Sequence, residues 1–163
     1  MSVKMKRENM IVLWNLLNKL SQENLPGRIF KIFVAKNILV LKPEIEMIQE
    51  TFKSPDGAQE YENKKRDILL KYADRDGNGA VIFEGTNFKV TVPENVEKVR
   101  EEIKELDKEN AELVKEIEEI NRELLEFLKQ DVEFNLMKVI EDGIPENINT
   151  TDLTTIMELG LLV

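Results

Sequence analysis

One stretch of this 163-residue chain limits its fold more than any other. Val96, Val99, Ile103, Leu106, Asn110, Leu113, Ile117, Ile120, Leu124 and Phe127 follow one another at alternating spacings of three and four. Such a seam repeats every 3.5 residues, which is the period of a helix that winds against another helix. No Pro or Gly falls within it. It predicts one continuous helix over 95–128, about 50 Å long at ~1.5 Å per residue. Asn110 is the polar exception among apolar seam positions. A buried polar residue at such a place costs stability but fixes register and strand number. Two readings stay open: a specified oligomer, or a polar contact within an intramolecular hairpin facing 58–73. Glu102, Glu109, Glu116 and Glu123 would flank the seam, facing Asp107, Val114, Asn121 and Leu128. A parallel self-pair gains no ion pairs from that arrangement, so an antiparallel or intramolecular partner suits it better. The seam residues Val99, Ile103, Leu106, Asn110, Leu113 and Ile117 are the predicted interaction or oligomer positions.

A partner helix must come from elsewhere, and the N-terminal part supplies candidates. Met10, Leu13, Leu17 and Leu20 fall at helical spacing, so 5–22 reads as a helix ending before Asn24-Leu25-Pro26-Gly27. Phe30, Val34, Ile38, Leu41, Ile45, Ile48 and Phe52 then run at spacings of 4, 4, 3, 4, 3 and 4 straight past Pro43. Pro inside a helix costs ~3 kcal/mol, yet the unbroken stripe favours one continuous helix kinked there over two helices. Ser54-Pro55-Asp56-Gly57 is a turn signal, and the register resumes offset at Tyr61, Lys65, Ile68 and Tyr72. The segment 26–73 is therefore a long, interrupted helix. Two turns, at 74–79 and 85–87, flank β-prone Ala80–Phe83 and alternating Phe88–Val92, which predicts a small ribbon over 74–94. Residues 131–136 alternate as a strand. Thr150 is placed to cap a short last helix through Leu159, ahead of the apolar tail Leu161-Leu162-Val163. The fold class is mainly α: a single elongated domain over 1–163, with a helical hairpin or coiled-coil bundle, a β-ribbon tip, and a C-terminal strand-and-helix unit over 131–163.

The residue inventory narrows the chemistry. The chain has neither Cys nor His, so thiol nucleophiles, thiolate metal sites and the commonest general base are absent. Serine hydroxyls without His lack their usual activator. Acid pairs such as Glu101/Glu105 and Glu112/Glu116 lie along the long helix, where nothing shifts a carboxylate as a catalytic cleft would. The expectation is a protein that is not an enzyme. No stretch approaches the ~18 apolar residues that span a bilayer, and no apolar leader core follows Met1–Arg7. Net charge is −9, which argues against nucleic acid as the main partner. The charge is uneven, however: residues 1–42 hold Lys4, Lys6, Arg7, Lys19, Arg28, Lys31, Lys36 and Lys42 against only Glu8 and Glu23. The basic N-terminal helices could pack on the acidic helix of the same chain, or Arg28–Lys42 could lie on an acidic partner groove.

One loop resembles a cation site. Asp74-Arg-Asp76-Gly-Asn78-Gly79-Ala-Val81 matches the opening of a helix–loop–helix calcium loop, with oxygens at the first, third and fifth positions and Gly at the sixth. The bidentate acid belongs at the twelfth position, where Gly85 stands, with Glu84 one place early. Asp74, Asp76, Asn78 and Glu84 are thus weak candidate Ca²⁺ ligands, a Gly/Asp turn is the plainer reading, and no other cofactor is expected.

The layout of the whole chain resembles a family of bacteriophage and prophage helical proteins known only as a domain of unknown function. The resemblance is carried by "LPGRIFKIFVAKNI" (25–38), by "KRDILLKYADRDGNG" at the end of a helix, by the long Glu/Lys helix, and by "DVEFNLMKV…IPENINTTDLTTIMEL" at the C-terminus. The Ala80–Val92 ribbon and Ser54-Pro55-Asp56-Gly57 depart from it. The resemblance implies a phage origin, a job in infection, and residence in the host cytoplasm or the virion. It assigns no active site, so no functional residue carries over. The leading expectation is a non-catalytic accessory protein that contacts a host or phage protein, in virion or tail assembly or in capture of a host defence component. A homo-oligomer fits the seam. A second class is a small-ligand binder for a nucleotide messenger, with Arg28, Lys31 and Tyr72 lining its pocket. A third is an interaction module stabilised by Ca²⁺.

Overall fold

The computed structural model describes residues 2–163. The order of elements is β1 (Val3–Lys6), α1 (Arg7–Gln22), α2 (Arg28–Thr51), α3 (Ala58–Tyr72), β2 (Phe83–Glu84), β3 (Asn87–Phe88), α4 (Pro93–Glu109), α5 (Ala111–Leu128), β4 (Asp131–Phe134), a 3₁₀ turn (Glu141–Gly143) and α6 (Thr150–Glu158). The fold is mainly α, with two small antiparallel two-stranded sheets, β1–β4 and β2–β3. The chain divides into two compact units, Met1–Lys53 with Arg122–Val163, and Ser54–Asn121.

The first unit holds the larger core. Met10, Leu13, Leu16, Leu17 and Leu20 of α1 are buried against Phe30, Phe33, Val34, Leu41, Ile45 and Ile48 of α2. Each such side chain removed from water contributes about 1.5–3 kcal/mol. The predicted α2 stripe is almost the buried one, with Ile38 and Phe52 half-buried and Phe33 and Asn37 added. The helix runs unbroken through Pro43. Residues expected at the start of the first helix form a strand instead. Val3–Lys6 pairs with β4 in the register Val3↔Phe134 to Lys6↔Asp131, so the alternating 131–136 segment finds its partner in the short run Val-Lys-Met-Lys.

Beyond β4, the carboxamide of buried Asn37 fastens the chain to α2 through Met137. The last helix is capped by Asn149, whose side chain accepts from the Thr151 amide, and not by Thr150, which is already helical. The tail is tucked in, with Leu161 buried and Leu162 bridged to Val139. Arg7 closes the other end of the core. Its Nε donates to Glu44 at 2.7 Å, its Nη1 donates to Gln130 at 3.1 Å, and its guanidinium lies 4.0 Å from the centre of the Phe127 ring.

The second unit is a helical hairpin. The start of α3 meets the end of α4, where the Tyr61 hydroxyl donates to Asp107 at 2.6 Å. The end of α3 meets the middle of α4, where Lys71 and Tyr72 both donate to Glu102. The two helices are therefore antiparallel. The ribbon between them is smaller than predicted, with two residues in each strand. The predicted continuous helix over 95–128 is two helices. At Asn110 the backbone leaves helical geometry, with φ −115° and ψ 29°. The hydrogen-bond ladder itself crosses the break, since the Asn110 amide donates to Leu106 and the Val114 amide to Asn110. The Asn110 side chain adds a second bond to the Leu106 carbonyl, at 2.8 Å. An amide side chain that competes for the preceding turn in this way distorts a helix without unravelling it.

Candidate interaction surface

A helix needs one apolar stripe to join a core, and α2 has two. Beside its buried face, Ile29, Ile32, Lys36, Val40, Pro43 and Met47 follow at spacings of 3, 4, 4, 3 and 4, all exposed, with exposed Leu39 on the outermost side of the helix. Leu39 is 70% exposed and Ile29 51%. Ile32, Val40 and Met47 are only 37%, 37% and 36% exposed, so the row is partly covered. A row of large apolar side chains on one face, unlike scattered ones, marks a contact surface. On the other side of the helix from the row, a hollow of about 620 Å³ lies between α2 and the C-terminal end of α1. Leu20, Leu25, Phe30, Val34, Ile38 and Leu39 line it, together with Lys31.

The charges on this helix are segregated. Arg28, Lys31 and Lys36 are exposed on its first half. Glu46 and Glu50 are exposed on its second. Between them Lys42 approaches Glu46 at 3.6 Å, an exposed pair one helical turn apart that contributes ~0.3–0.5 kcal/mol at most.

The residues singled out from the sequence fall elsewhere. Of the seam, Leu106 is buried, and Val99, Ile103, Asn110, Leu113 and Ile117 are half-buried. The α4 part of the seam lies against α3, and a Cβ on Gly57 would sit 3.6 Å from Leu113. Asn110 spends its side-chain amide on its own helix and does not face 58–73 as a polar contact across the hairpin. Arg28 and Lys31 line different hollows of the first unit, while Tyr72 donates to Glu102 in the second.

The calcium-like loop is held together by its own oxygens. The Asp74 carboxylate accepts from both the amide and the hydroxyl of Thr91, at 3.1 and 2.6 Å. Those bonds hold its carboxyl below the usual carboxylate range. Asp76 Oδ1 accepts from the Asn78 and Ala80 amides at 2.8 and 2.9 Å. Among the described residues no three acidic side chains converge as metal ligands do. A tight Asp/Gly turn and the opening of a calcium loop need the same residue types.

Comparison with family models, with curated proteins and with solved structures finds no match for this chain. Among the described residues no helix is long and apolar enough to cross a membrane, which sets the outer row of α2 apart from a spanning segment. The reading of Arg28–Lys42 as a basic amphipathic stretch identified the buried stripe and the lysines. It missed the second row, although Ile29, Ile32, Val40 and Met47 carried the same three-four rhythm in the sequence.

Proposed function

We propose that this chain is a non-catalytic, phage-encoded accessory protein that works by protein–protein contact, and that the outer face of α2 is its principal contact surface. One observation carries the reading: Ile29, Ile32, Leu39, Val40 and Met47 are all exposed on the part of α2 that lies outside the core. Folding alone gives no return for that composition, since exposed apolar rows invite aggregation unless something covers them. The basic first half of the helix and the absence of Cys and His from the chain fit binding better than chemistry. The resemblance to phage helical proteins suggests a setting, in virion assembly or in capture of a host defence component.

A photo-crosslinking side chain placed at Leu39 in the full chain, in infected or expressing cells, tests the reading. A protein adduct should form there and not from the same probe at Glu118, on the solvent side of α5. If position 39 gives no adduct, or no more than position 118, the outer face of α2 is not a contact surface.

A further inference from the structure

We propose that the hollow between α3 and the β2–β3 ribbon binds a nucleoside phosphate, with the base stacked on Phe83 and the phosphate held by Arg66. The site lies wholly within the second unit and goes beyond the reading of α2 as a contact surface. Phe83 and Phe88 are a directly opposed cross-strand pair, so their side chains share one face of the ribbon. Their ring centres are 5.3 Å apart, with the rings tilted by 37°. Phe88 is half-buried, while Phe83 stays 56% exposed. The contact with Phe88 steadies the Phe83 ring and leaves much of its surface for a second planar group, as in the aromatic platforms on which bases stack. On the helix side, α3 brings Glu62, Lys65 and Arg66 to the same hollow. Lys65 approaches Glu62 at 3.7 Å, so these two charges largely cancel and Arg66 sets the sign of the hollow. Its guanidinium lies 5.7 Å from the centre of the Phe88 ring, and among the described residues it has no carboxylate partner. A guanidinium set against a ring keeps its in-plane N–H donors, which match the oxygens of a phosphate. The Arg66–Phe88 contact alone would fasten the ribbon to α3, but it does not account for Phe83 facing outward. An aliphatic anion would leave that ring unused, and an uncharged aromatic would leave Arg66 unused; a nucleoside phosphate uses both. The hollow holds about 380 Å³, within the ~300–1,000 Å³ of small-molecule sites. On a chain of net charge −9, a single nucleotide suits it better than a long polyanion.

Titration of the isotope-labelled full chain with adenosine monophosphate and with uridine monophosphate, followed by amide chemical shifts, tests this directly. The expected result is a set of saturable shifts gathered on the residues that line the hollow, in α3 and the ribbon. Phe83→Ala should weaken binding by roughly fivefold to a hundredfold, the effect of losing one base–ring stack. It should leave the thermal melt unchanged, because the side chain is exposed. Phe83→Trp keeps a ring in place and should retain binding. Arg66→Gln should weaken the monophosphates and leave the response to adenosine, which has no phosphate, as it was. A short oligothymidylate separates the two sources of this chemistry: tighter binding than uridine monophosphate assigns the site to a strand, and weaker binding assigns it to the free nucleotide. The absence of saturable shifts with all of these ligands overturns the inference. So does an equal response to inorganic phosphate alone, binding that Phe83→Ala leaves intact, or a loss in Arg66→Gln that is the same for adenosine and its monophosphate.

Discussion

The side chain of Asn37 pairs with both backbone groups of Met137. Its Nδ2 donates to the Met137 carbonyl at 3.0 Å, and its Oδ1 accepts from the Met137 amide at 2.8 Å. The carboxamide acts as one residue of a β-ladder grown from the buried face of a helix. Asn37 is fully buried, so its carboxamide has no water as an alternative. Asn37→Ala should therefore cost about 1–3 kcal/mol, since both backbone groups of half-buried Met137 lose their partner. Asn37→Leu, of similar size, should cost nearly as much. Urea denaturation checks this: a loss under 1 kcal/mol in Asn37→Leu would mean that packing, and not the paired bonds, sets the need for Asn here.

That pair also marks the boundary of what the residue pattern makes legible. Met10, Leu13, Leu17 and Leu20, and Phe30, Val34, Leu41, Ile45 and Ile48, were readable as core because helical periodicity records which side of a helix is apolar. Asn37 was not readable, because its partner lies 100 residues away and hydrogen bonding leaves no period. The strand at Val3–Lys6 is too short to carry a pattern against the helix that follows it. Asn110 was conspicuous in the seam, but whether a polar side chain there meets another chain or its own preceding turn depends on geometry alone. The outer row of α2 shows the same limit from the other side. Ile29, Ile32, Val40 and Met47 have the spacing of a core stripe, and spacing cannot tell a covered face from an uncovered one.

Lys19 Nζ lies 2.9 and 2.8 Å from the two oxygens of Asp152 and ties α1 to the first turn of α6. The lysine is half-exposed, while the carboxylate is almost covered. The bond to Asp152 raises the lysine above its ordinary value, against a smaller opposing effect of burial. Folding thus favours the charged lysine, and the stability gained is complete below the ordinary lysine value and lost as pH rises through the raised one. Lys19→Met should be the more damaging change, because it leaves a covered carboxylate unpaired. Asp152→Ala leaves a lysine that water can reach, and should lower the melting temperature by roughly 2–4 °C. Calorimetry of the two variants at neutral pH gives the order, and the reverse order would refute the argument.

Tyr61 is buried, and its hydroxyl is given to Asp107. Burial first, and then the bond to a carboxylate, push the phenol up to about 12. A raised value in the folded state means that folding holds the proton more tightly. The contribution is whole below the ordinary tyrosine value of about 10 and disappears between there and about 12. Tyr61→Phe should cost about 1 kcal/mol at neutral pH for the lost bond. Above pH 10 the wild type should lose stability faster than the variant, so the two unfolding curves converge. Parallel curves between pH 9 and 11 would show that this hydroxyl does not sense the carboxylate. Absorbance of tyrosinate supplies an independent reading, since the signal missing from Tyr61→Phe should be the late-titrating one.

Asn110 separates two helices across which two helical bonds persist, from the Asn110 amide to Leu106 and from the Val114 amide to Asn110. Only its side chain, bonded to the Leu106 carbonyl, works against regular geometry. Asn110→Leu removes that competition and adds an apolar group to a half-buried seam position between buried Leu106 and half-buried Leu113. Leu also exceeds Asn in helix propensity by about 0.5 kcal/mol. The variant should gain about 1 kcal/mol in stability and a small increment of helical signal in far-ultraviolet circular dichroism, with the association behaviour of the chain unchanged. A change in oligomeric mass on this substitution would carry the opposite lesson: that the seam at Asn110 meets another chain, and that the polar side chain is kept there to restrain it.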